Sequence, residues 1–186
     1  MMPELDGRML SIDLGLAPPN SWLTASALAL AWLAVMWAYS PVADRLATRW
    51  FAKPPELSAF RALQQSKAKL VAGIILAWVL GGFLEELILR GILLQTVKSF
   101  VSYWHLSLLA TAAGIAVAAA AAWVVHLYQG LRAACIVAQL SVLFGVLFVI
   151  SGYNLWPVIL CHGLYDTIAF IRFANKQSKY SHLDRQ

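Results

Sequence analysis

The stretch Glu85-Glu86-Leu87-Ile88-Leu89-Arg90 lies inside an otherwise apolar run that covers residues 70–94. An ionised side chain near the centre of a membrane-spanning helix costs about 2.5–3.5 kcal/mol on insertion scales. Glu86 and Arg90 are four residues apart, so on a helix they share a face and can form an ion pair. Glu85 is rotated about 100° away from Glu86, and we expect it to face a polar cavity and to be available for chemistry. The alternative is that Glu86 and Arg90 form a structural ion pair and that the Glu85 carboxylate only faces a water pocket.

The composition identifies the class of protein. Hydrophobic residues make up 61% of the 186 residues and charged residues 12%, and the mean hydropathy is +0.70. These values are typical of an integral membrane protein. The length leaves room for one all-α polytopic domain of about five transmembrane helices with a polar intramembrane cavity. Cys135 and Cys161 lie in apolar runs without the spacing of a zinc site or a disulfide framework, so we expect both to pack in the core.

The apolar runs predict where the five helices lie. No charge interrupts the first run between Asp13 and Asp44. The chain before it is acidic, unlike the positive start of a secretory signal, so we expect this run to remain in the membrane. The expected spans are 22–39, about 69–98, 106–125, 133–150 and 154–173. The chain then divides into an N-terminal anchor helix with a basic interfacial linker (1–69), a membrane core (70–174) and a basic tail (175–186).

The segment 41–69 is strongly basic, with six lysines and arginines against two acidic residues. Val42, Leu46 and Trp50 recur every four residues, which predicts an amphipathic helix in the membrane interface, and two successive prolines then end it. A basic stretch of this kind can also bind nucleic acid. Because this one lies between two expected spans, we interpret it as a cytoplasmic loop that faces lipid headgroups. We therefore expect the lipid bilayer, and no nucleic acid, as a partner.

The end of the chain is basic as well, with four lysines and arginines against one aspartate from residue 172 onward. Because positive loops stay in the cytoplasm, the segment 41–69 and the tail should lie on the cytoplasmic side. Five spans then place the acidic N-terminus on the opposite side, so charge and helix count agree. We expect an integral protein of a bacterial plasma (inner) membrane with a cytoplasmic C-terminus.

Three more polar residues lie in or beside the expected spans, namely His126, His162 and Asp166. His162 and Asp166 are four residues apart, so they share a helix face, and a carboxylate one turn from a histidine can fix its tautomer. The spans place Glu85 and His162 at a similar depth. His126 falls near the cytoplasmic end of its span if that helix is straight, and the sequence leaves open whether it reaches the other two. A lone histidine in such a span is commonly a satisfied interior residue.

Taken together, the motifs resemble the CPBP family, which comprises the type II CAAX prenyl endopeptidases and related bacterial intramembrane proteases. The matching stretches are Glu85-Glu86-Leu87-Ile88-Leu89-Arg90-Gly91, His126-Leu127-Tyr128-Gln129-Gly130, Asn154-Leu155-Trp156-Pro157 and His162-Gly163-Leu164-Tyr165-Asp166. The resemblance covers about residues 70–174. The family usually has phenylalanine four residues before the second-motif histidine, where this chain has Ala122, and we expect Trp123 to fill that space. The last motif ends in Asp166, where many relatives have asparagine.

The resemblance implies hydrolysis of peptide bonds in membrane-associated substrates, with CAAX-type proteins and leader peptides as candidates. Glu85 would be the general base that deprotonates a water molecule. His126 and His162 would position the water and stabilise the oxyanion, and Asp166 would orient His162. Structural support for the helix geometry would come from Glu86 and Arg90.

A zinc-dependent version of this chemistry is also open, with Glu85, His126 and His162 as ligands and the metal activating the water. The chain has no His-Glu-x-x-His helix, so we favour the metal-free version without a cofactor. Two other functions compete with a protease: a non-catalytic immunity or partner-binding protein of the same fold, and a proton-coupled carrier. Five spans without a visible inverted repeat argue against the carrier.

Overall fold

The computed structural model describes residues 14–103 and 107–183, and within these ranges the chain forms helices and turns without a strand. The elements in chain order are α1 (Trp22–Trp50), a 3₁₀ helix (Ser58–Gln64), α2 (Lys67–Tyr103), α3 (Ser107–Val125), a 3₁₀ helix (Leu127–Gln129), α4 (Leu131–Ile150) and α5 (Trp156–Leu183). In the described part of the chain, four helices are long and apolar enough to cross a membrane, and the apolar stretch Leu109–Val125 of α3 is shorter. The predicted all-α polytopic fold is confirmed.

α1 is longer than the sequence predicts, because the expected interfacial segment continues the first span. The helix passes through Pro41 and ends at Trp50. Ala43 and Ala47 on this segment are fully buried, whereas the apolar stripe that suggested an interfacial helix is exposed. Small alanines allow close helix packing. The face with Ala43 and Ala47 therefore packs against the bundle, and the stripe of larger apolar residues points away from it. The prediction of a separate interfacial helix is therefore wrong.

The middle of α2 carries the acidic pair. Ala77–Glu85 and Leu87–Leu94 have π-type hydrogen bonding, while both ends of the helix are α-helical. Local π geometry is frequent at functional sites, since it changes the direction in which side chains leave the helix. Here it coincides with the stretch that contains Glu86 and Arg90.

α2 and α5 approach each other closely at glycine positions. A Cβ on Gly163 would lie 2.5 Å from the Trp78 ring, and a Cβ on Gly82 would lie 3.4 Å from the backbone nitrogen of Gly163. Trp78 also donates a hydrogen bond from Nε1 to Thr167 Oγ1 at 3.0 Å. Because the glycines carry no side chain, the two backbones come close enough for Glu86 of α2 to contact His162.

The segment between α1 and α2, residues 51–66, is here called the linker. Its Glu56 backbone N–H donates to Gln129 O at 2.8 Å, and its Gln64 Nε2 donates to Phe173 O at 3.1 Å. The linker therefore folds back over the ends of the helices instead of projecting as an open loop. Its contact with lipid headgroups stays a prediction.

The opposite end of the bundle is closed by the segment that precedes α1. Gly15 O accepts from the backbone N–H of Leu155 at 2.8 Å, and Asn154 Nδ2 donates to Ala17 O at 2.9 Å. Asn154 Oδ1 accepts from the Trp156 N–H at 3.0 Å, which makes it the helix cap that its position before Pro157 indicates. The segment before α1 and the turn before α5 are thus held together.

Both cysteines are free thiols. Cys161 is fully buried in the apolar core, as predicted, and its Sγ lies 3.8 Å from Met36 Sδ. Cys135 is only half-buried, and its Sγ lies 3.7 Å from Gln139 Nε2. The core prediction therefore holds fully for the first thiol and partly for the second.

Candidate active site

A cavity of about 650 Å³ lies between α2, α4 and α5 and extends to the end of α3 and the linker. The four residues predicted to act in catalysis, Glu85, His126, His162 and Asp166, all line it. They come from α2, α5 and the turn after α3. The wall near the linker is apolar and includes Leu57, Phe60, Leu63, Phe170 and Phe173. The cavity thus has a polar end that could do chemistry and an apolar end.

Glu86 is fully buried and is shared between two partners. Arg90 Nη1 lies 3.1 Å from Oε2 and 3.2 Å from Oε1, so the predicted ion pair is present. The Oε1 atom also pairs with Nδ1 of His162 at 2.6 Å. The spacing of residues in the sequence does not predict this second contact. Glu86 therefore links the arginine to a candidate catalytic histidine as well as supporting the helix.

Arg90 is held by α4 through two residues that sequence reasoning missed. Its Nη2 donates to the backbone oxygen of Ser141 at 2.8 Å and to the hydroxyl Oγ at 2.6 Å. Phe144, one turn further along α4, lies 5.5 Å from the guanidinium and stacks on the His162 ring with centroids 4.6 Å apart. A serine within an apolar span is a signal that could have identified Ser141, whereas nothing in the sequence distinguishes Phe144.

His162 has a carboxylate near each ring nitrogen. Asp166 Oδ2 lies 3.5 Å from Nε2, which is longer than a typical hydrogen bond, whereas Glu86 holds Nδ1 at 2.6 Å. A Cβ on Gly81 would lie 3.1 Å from the Asp166 oxygen and 3.5 Å from Nε2. The glycine therefore leaves this corner of the cavity open. The closer of the two orienting carboxylates is Glu86, and an orienting role for Asp166 stays a prediction.

His126 reaches the cavity because α3 ends one residue before it. Its ring Nδ1 pairs with Ala122 O at 2.8 Å, which leaves Nε2 for another partner. The question that the sequence left open is therefore answered, and the His126 side chain joins the other three residues around the same cavity. The ring of Tyr128 stacks at a centroid distance of 6.2 Å.

Ala122 lies at the position where the family that the chain resembles usually has phenylalanine, and Trp123 does not replace that ring. Ala122 is fully buried, and Trp123 is 36% exposed. Consecutive helix residues point about 100° apart, so Trp123 cannot turn its ring into the space beside Ala122. The expectation that Trp123 fills that space is wrong.

Glu85 differs from its neighbour in having no fixed partner. It lines the cavity and is partly exposed. Within residues 14–103 and 107–183, no hydrogen bond ties its carboxylate to another residue, although it lies close enough to His162 and His126 for electrostatic interaction. A carboxylate in this setting can accept a proton from a bound water molecule.

A zinc site would need Glu85, His126 and His162 to converge on one point. In the described part of the chain, no three histidine, cysteine, aspartate or glutamate side chains come together in a way that could hold a metal ion. Nδ1 of His162 contacts Glu86 and Nδ1 of His126 contacts a backbone carbonyl, so a ligand would have to bind Nε2 of each histidine. Histidines that bind metals commonly have their other ring nitrogen held in this way, so whether Glu85, His126 and His162 act with or without zinc stays a prediction.

The chain matches a known protein family. Residues 67–168, more than half of the chain, match the family model described as type II CAAX prenyl endopeptidase, Rce1-like. No curated protein and no solved structure matches the chain. The matched region contains the acidic pair of α2, both cavity histidines and Asp166, and it excludes α1 and the whole linker.

Proposed function

Because the chain belongs to the Rce1-like family of type II CAAX prenyl endopeptidases, we propose that it is an intramembrane endopeptidase with Glu85 as its general base. One observation carries the assignment of residues: Glu85, His126, His162 and Asp166 line a single cavity, and among them Glu85 presents a carboxylate without a fixed partner. The substrates are membrane-associated peptides or proteins, with CAAX-type proteins and leader peptides as the candidate classes.

The proposed reaction begins when Glu85 takes a proton from a water molecule in the cavity. The resulting hydroxide attacks the carbonyl carbon of the scissile peptide bond, and the carbonyl oxygen becomes an oxyanion. In this step both histidine rings are doubly protonated, because Nδ1 of each already carries a proton toward its carbonyl or carboxylate partner. The Nε2–H groups of His126 and His162 then donate hydrogen bonds to the oxyanion. Glu85 then passes its proton to the leaving amine as the carbon–nitrogen bond breaks.

The surroundings of His162 support this role because they fix the ring before substrate binds. Glu86 holds Nδ1 and Phe144 stacks on the ring plane, so Nε2 keeps one direction. Donors that are already oriented need no reorganisation during the reaction, which is the main source of their catalytic effect. Asp166, at 3.5 Å from Nε2, adds negative charge beside the donor.

The test is peptide turnover by folded single variants in detergent or liposomes. Glu85→Gln keeps the shape and removes the base, so turnover should fall about 10²-fold or more while the fold survives. Turnover should fall by a similar factor in His126→Ala and in His162→Ala. The loss should be smaller in Asp166→Asn, since Glu86 still holds the His162 ring. Near-normal turnover by Glu85→Gln would contradict the general-base assignment.

The matched control is Glu56→Gln, which changes a linker carboxylate that accepts from the Ser58 N–H at 2.8 Å. This variant should cleave like the wild type. No cleavage by the wild type across a broad substrate panel would instead favour the non-catalytic partner-binding role.

Metal removal tests the metal-free version of the mechanism. Dialysis against a strong chelator should leave turnover unchanged, because the proposed nucleophile is produced by Glu85 and not by a metal-bound water. Loss of activity that zinc restores would show that a metal supplies the nucleophile instead. The chelated protein should be checked for an unchanged unfolding temperature, so that lost activity is not mistaken for lost fold.

A further inference from the structure

We propose that Ser141 of α4 is a positioning residue for His162 and acts through Arg90 and Glu86. The four side chains form a continuous series of contacts. Ser141 Oγ accepts from Arg90 Nη2 at 2.6 Å, and Arg90 Nη1 lies 3.1 Å from Glu86 Oε2. Glu86 Oε1 in turn lies 2.6 Å from His162 Nδ1. A serine on one helix is thus connected to a ring on another helix through a buried ion pair on a third.

Burial makes each contact in this series difficult to replace. Ser141 is 3% exposed, His162 is 9% exposed, and the two charged residues between them are not exposed at all. Water cannot substitute for a lost partner at such positions, and hydrogen bonds to charged groups are stronger than neutral ones. A change at Ser141 must therefore alter the positions of Arg90, Glu86 or His162.

Arg90 has few other contacts that could hold it in place. Its Nε atom has no hydrogen-bond partner among the described residues, and Ser141 provides both contacts of Nη2, one through the hydroxyl and one through the backbone oxygen. Removal of the hydroxyl leaves only the backbone oxygen on that side. The guanidinium can then rotate, and the carboxylate of Glu86 that pairs with it can follow.

The position of Phe144 supports the same role for α4. Ser141 and Phe144 are three residues apart and therefore lie on one face of the helix. Phe144 stacks on the His162 ring with planes inclined by 22°. On this face of α4, Phe144 fixes the plane of the His162 ring directly, and Ser141 fixes the position of Nδ1 indirectly. The direction of Nε2 into the cavity depends on both contacts.

The first test reads the His162 ring and does not depend on catalysis. Protein labelled with ¹⁵N-histidine is examined by NMR in detergent, and the Nδ1 resonance of His162 is assigned by its loss in His162→Gln. Ser141→Ala should shift or broaden this resonance, because the ion pair that contacts Nδ1 loses one anchor. Ser141→Thr keeps a hydroxyl and should restore the wild-type signal. A wild-type resonance in Ser141→Ala would overturn the proposal.

The control is Ser151→Ala, at the residue that follows the last residue of α4. The Ser151 hydroxyl donates within its own turn, to the backbone oxygens of Phe148 and Asn154, so its loss should leave the His162 resonance unchanged. An equal shift of the His162 resonance in this variant would overturn the proposal, since the loss of any serine hydroxyl would then have the same effect. If Ser141→Ala does not accumulate as folded protein, Ser141→Cys, which has a similar volume and a weak hydrogen-bonding group, is measured in its place with the same expectation.

The second test is kinetic, and this arm alone rests on the proposed peptidase function. Ser141→Ala should lower kcat about tenfold with little change in KM, because a displaced donor weakens the transition state more than substrate binding. A larger KM with normal kcat would point to a role in substrate binding and would overturn the positioning role. If the wild type cleaves no peptide, the proposed function fails while the NMR result still decides the role of Ser141.

Discussion

Glu85 and Glu86 are adjacent in the sequence but have different surroundings. Glu86 is enclosed by Arg90 and His162, whereas Glu85 opens to the cavity. The sequence predicts this division from the spacing of Glu86 and Arg90 alone, because four residues on a helix define one face. It does not predict the contact with His162, which lies 76 residues away and depends on how closely α2 and α5 approach.

We predict that Arg90→Ala strongly destabilises the protein. The substitution leaves Glu86 buried with a charge and without its arginine, at a cost of about 3–5 kcal/mol. The expected result is poor accumulation in the membrane and a clearly lower unfolding temperature in detergent. Normal thermal stability of a folded Arg90→Ala protein would contradict this expectation.

The chain offers a matched arginine for comparison. Arg132 forms a two-pronged ion pair with Asp44, at 2.8 Å from each carboxylate oxygen, but the Asp44 side chain is 45% exposed. Ion pairs that water can reach contribute only about 0–1 kcal/mol. Arg132→Ala should therefore lower the unfolding temperature much less than Arg90→Ala, although both remove an arginine that pairs with an acid.

At the scale of secondary structure, apolar runs locate the helices well but not the way the linker packs. The linker has no clear periodicity, and its 3₁₀ helix Ser58–Gln64 follows a pair of prolines. Phe60 and Leu63 nevertheless line the cavity, and the Phe60 ring lies 5.6 Å from that of Phe170. Such contacts join parts of the chain that are distant in sequence, so a local pattern cannot predict them.

We predict that Gly73→Ala loosens the linker from the bundle. A Cβ at this position would lie 2.2 Å from Leu63 Cδ2, so the buried Leu63 side chain must shift. Overpacking of this kind costs about 1–3 kcal/mol, and limited trypsin cleavage after Arg61 in the linker should become about fivefold faster or more. The measurement is the rate at which the corresponding fragments appear, followed by mass spectrometry.

The control for this experiment is Ala72→Val, which adds more bulk one position earlier on an exposed part of α2. It should leave cleavage after Arg61 at the wild-type rate. If Gly73→Ala and Ala72→Val behave alike, the contact between Leu63 and α2 does not hold the linker.

At the scale of the whole molecule, the contacts divide the chain into two ends. The linker, the turn at Gln129 and Phe173 meet at one end. Gly15 and the turn before α5 meet at the other, where Lys98 also lies 3.5 Å from the Tyr153 ring centroid. The cavity extends toward the first end, since Tyr128 and Phe173 line it. The sequence predicts the same division, because the basic segment 41–69 and the basic tail are both expected in the cytoplasm and four expected spans lie between them.

The distribution of charge predicts the orientation of the molecule in its membrane. Because the end that carries the linker holds most of the lysines and arginines, it should face the cytoplasm, and the cavity would then be reached from that side. Reporter fusions after residue 60 and after residue 186 should both report a cytoplasmic location, and a fusion after Gly152, in the turn at the opposite end, should report the other side. Opposite results for residues 60 and 186 would mean that the number of membrane crossings between them is odd, so that one of the helices after the linker does not cross.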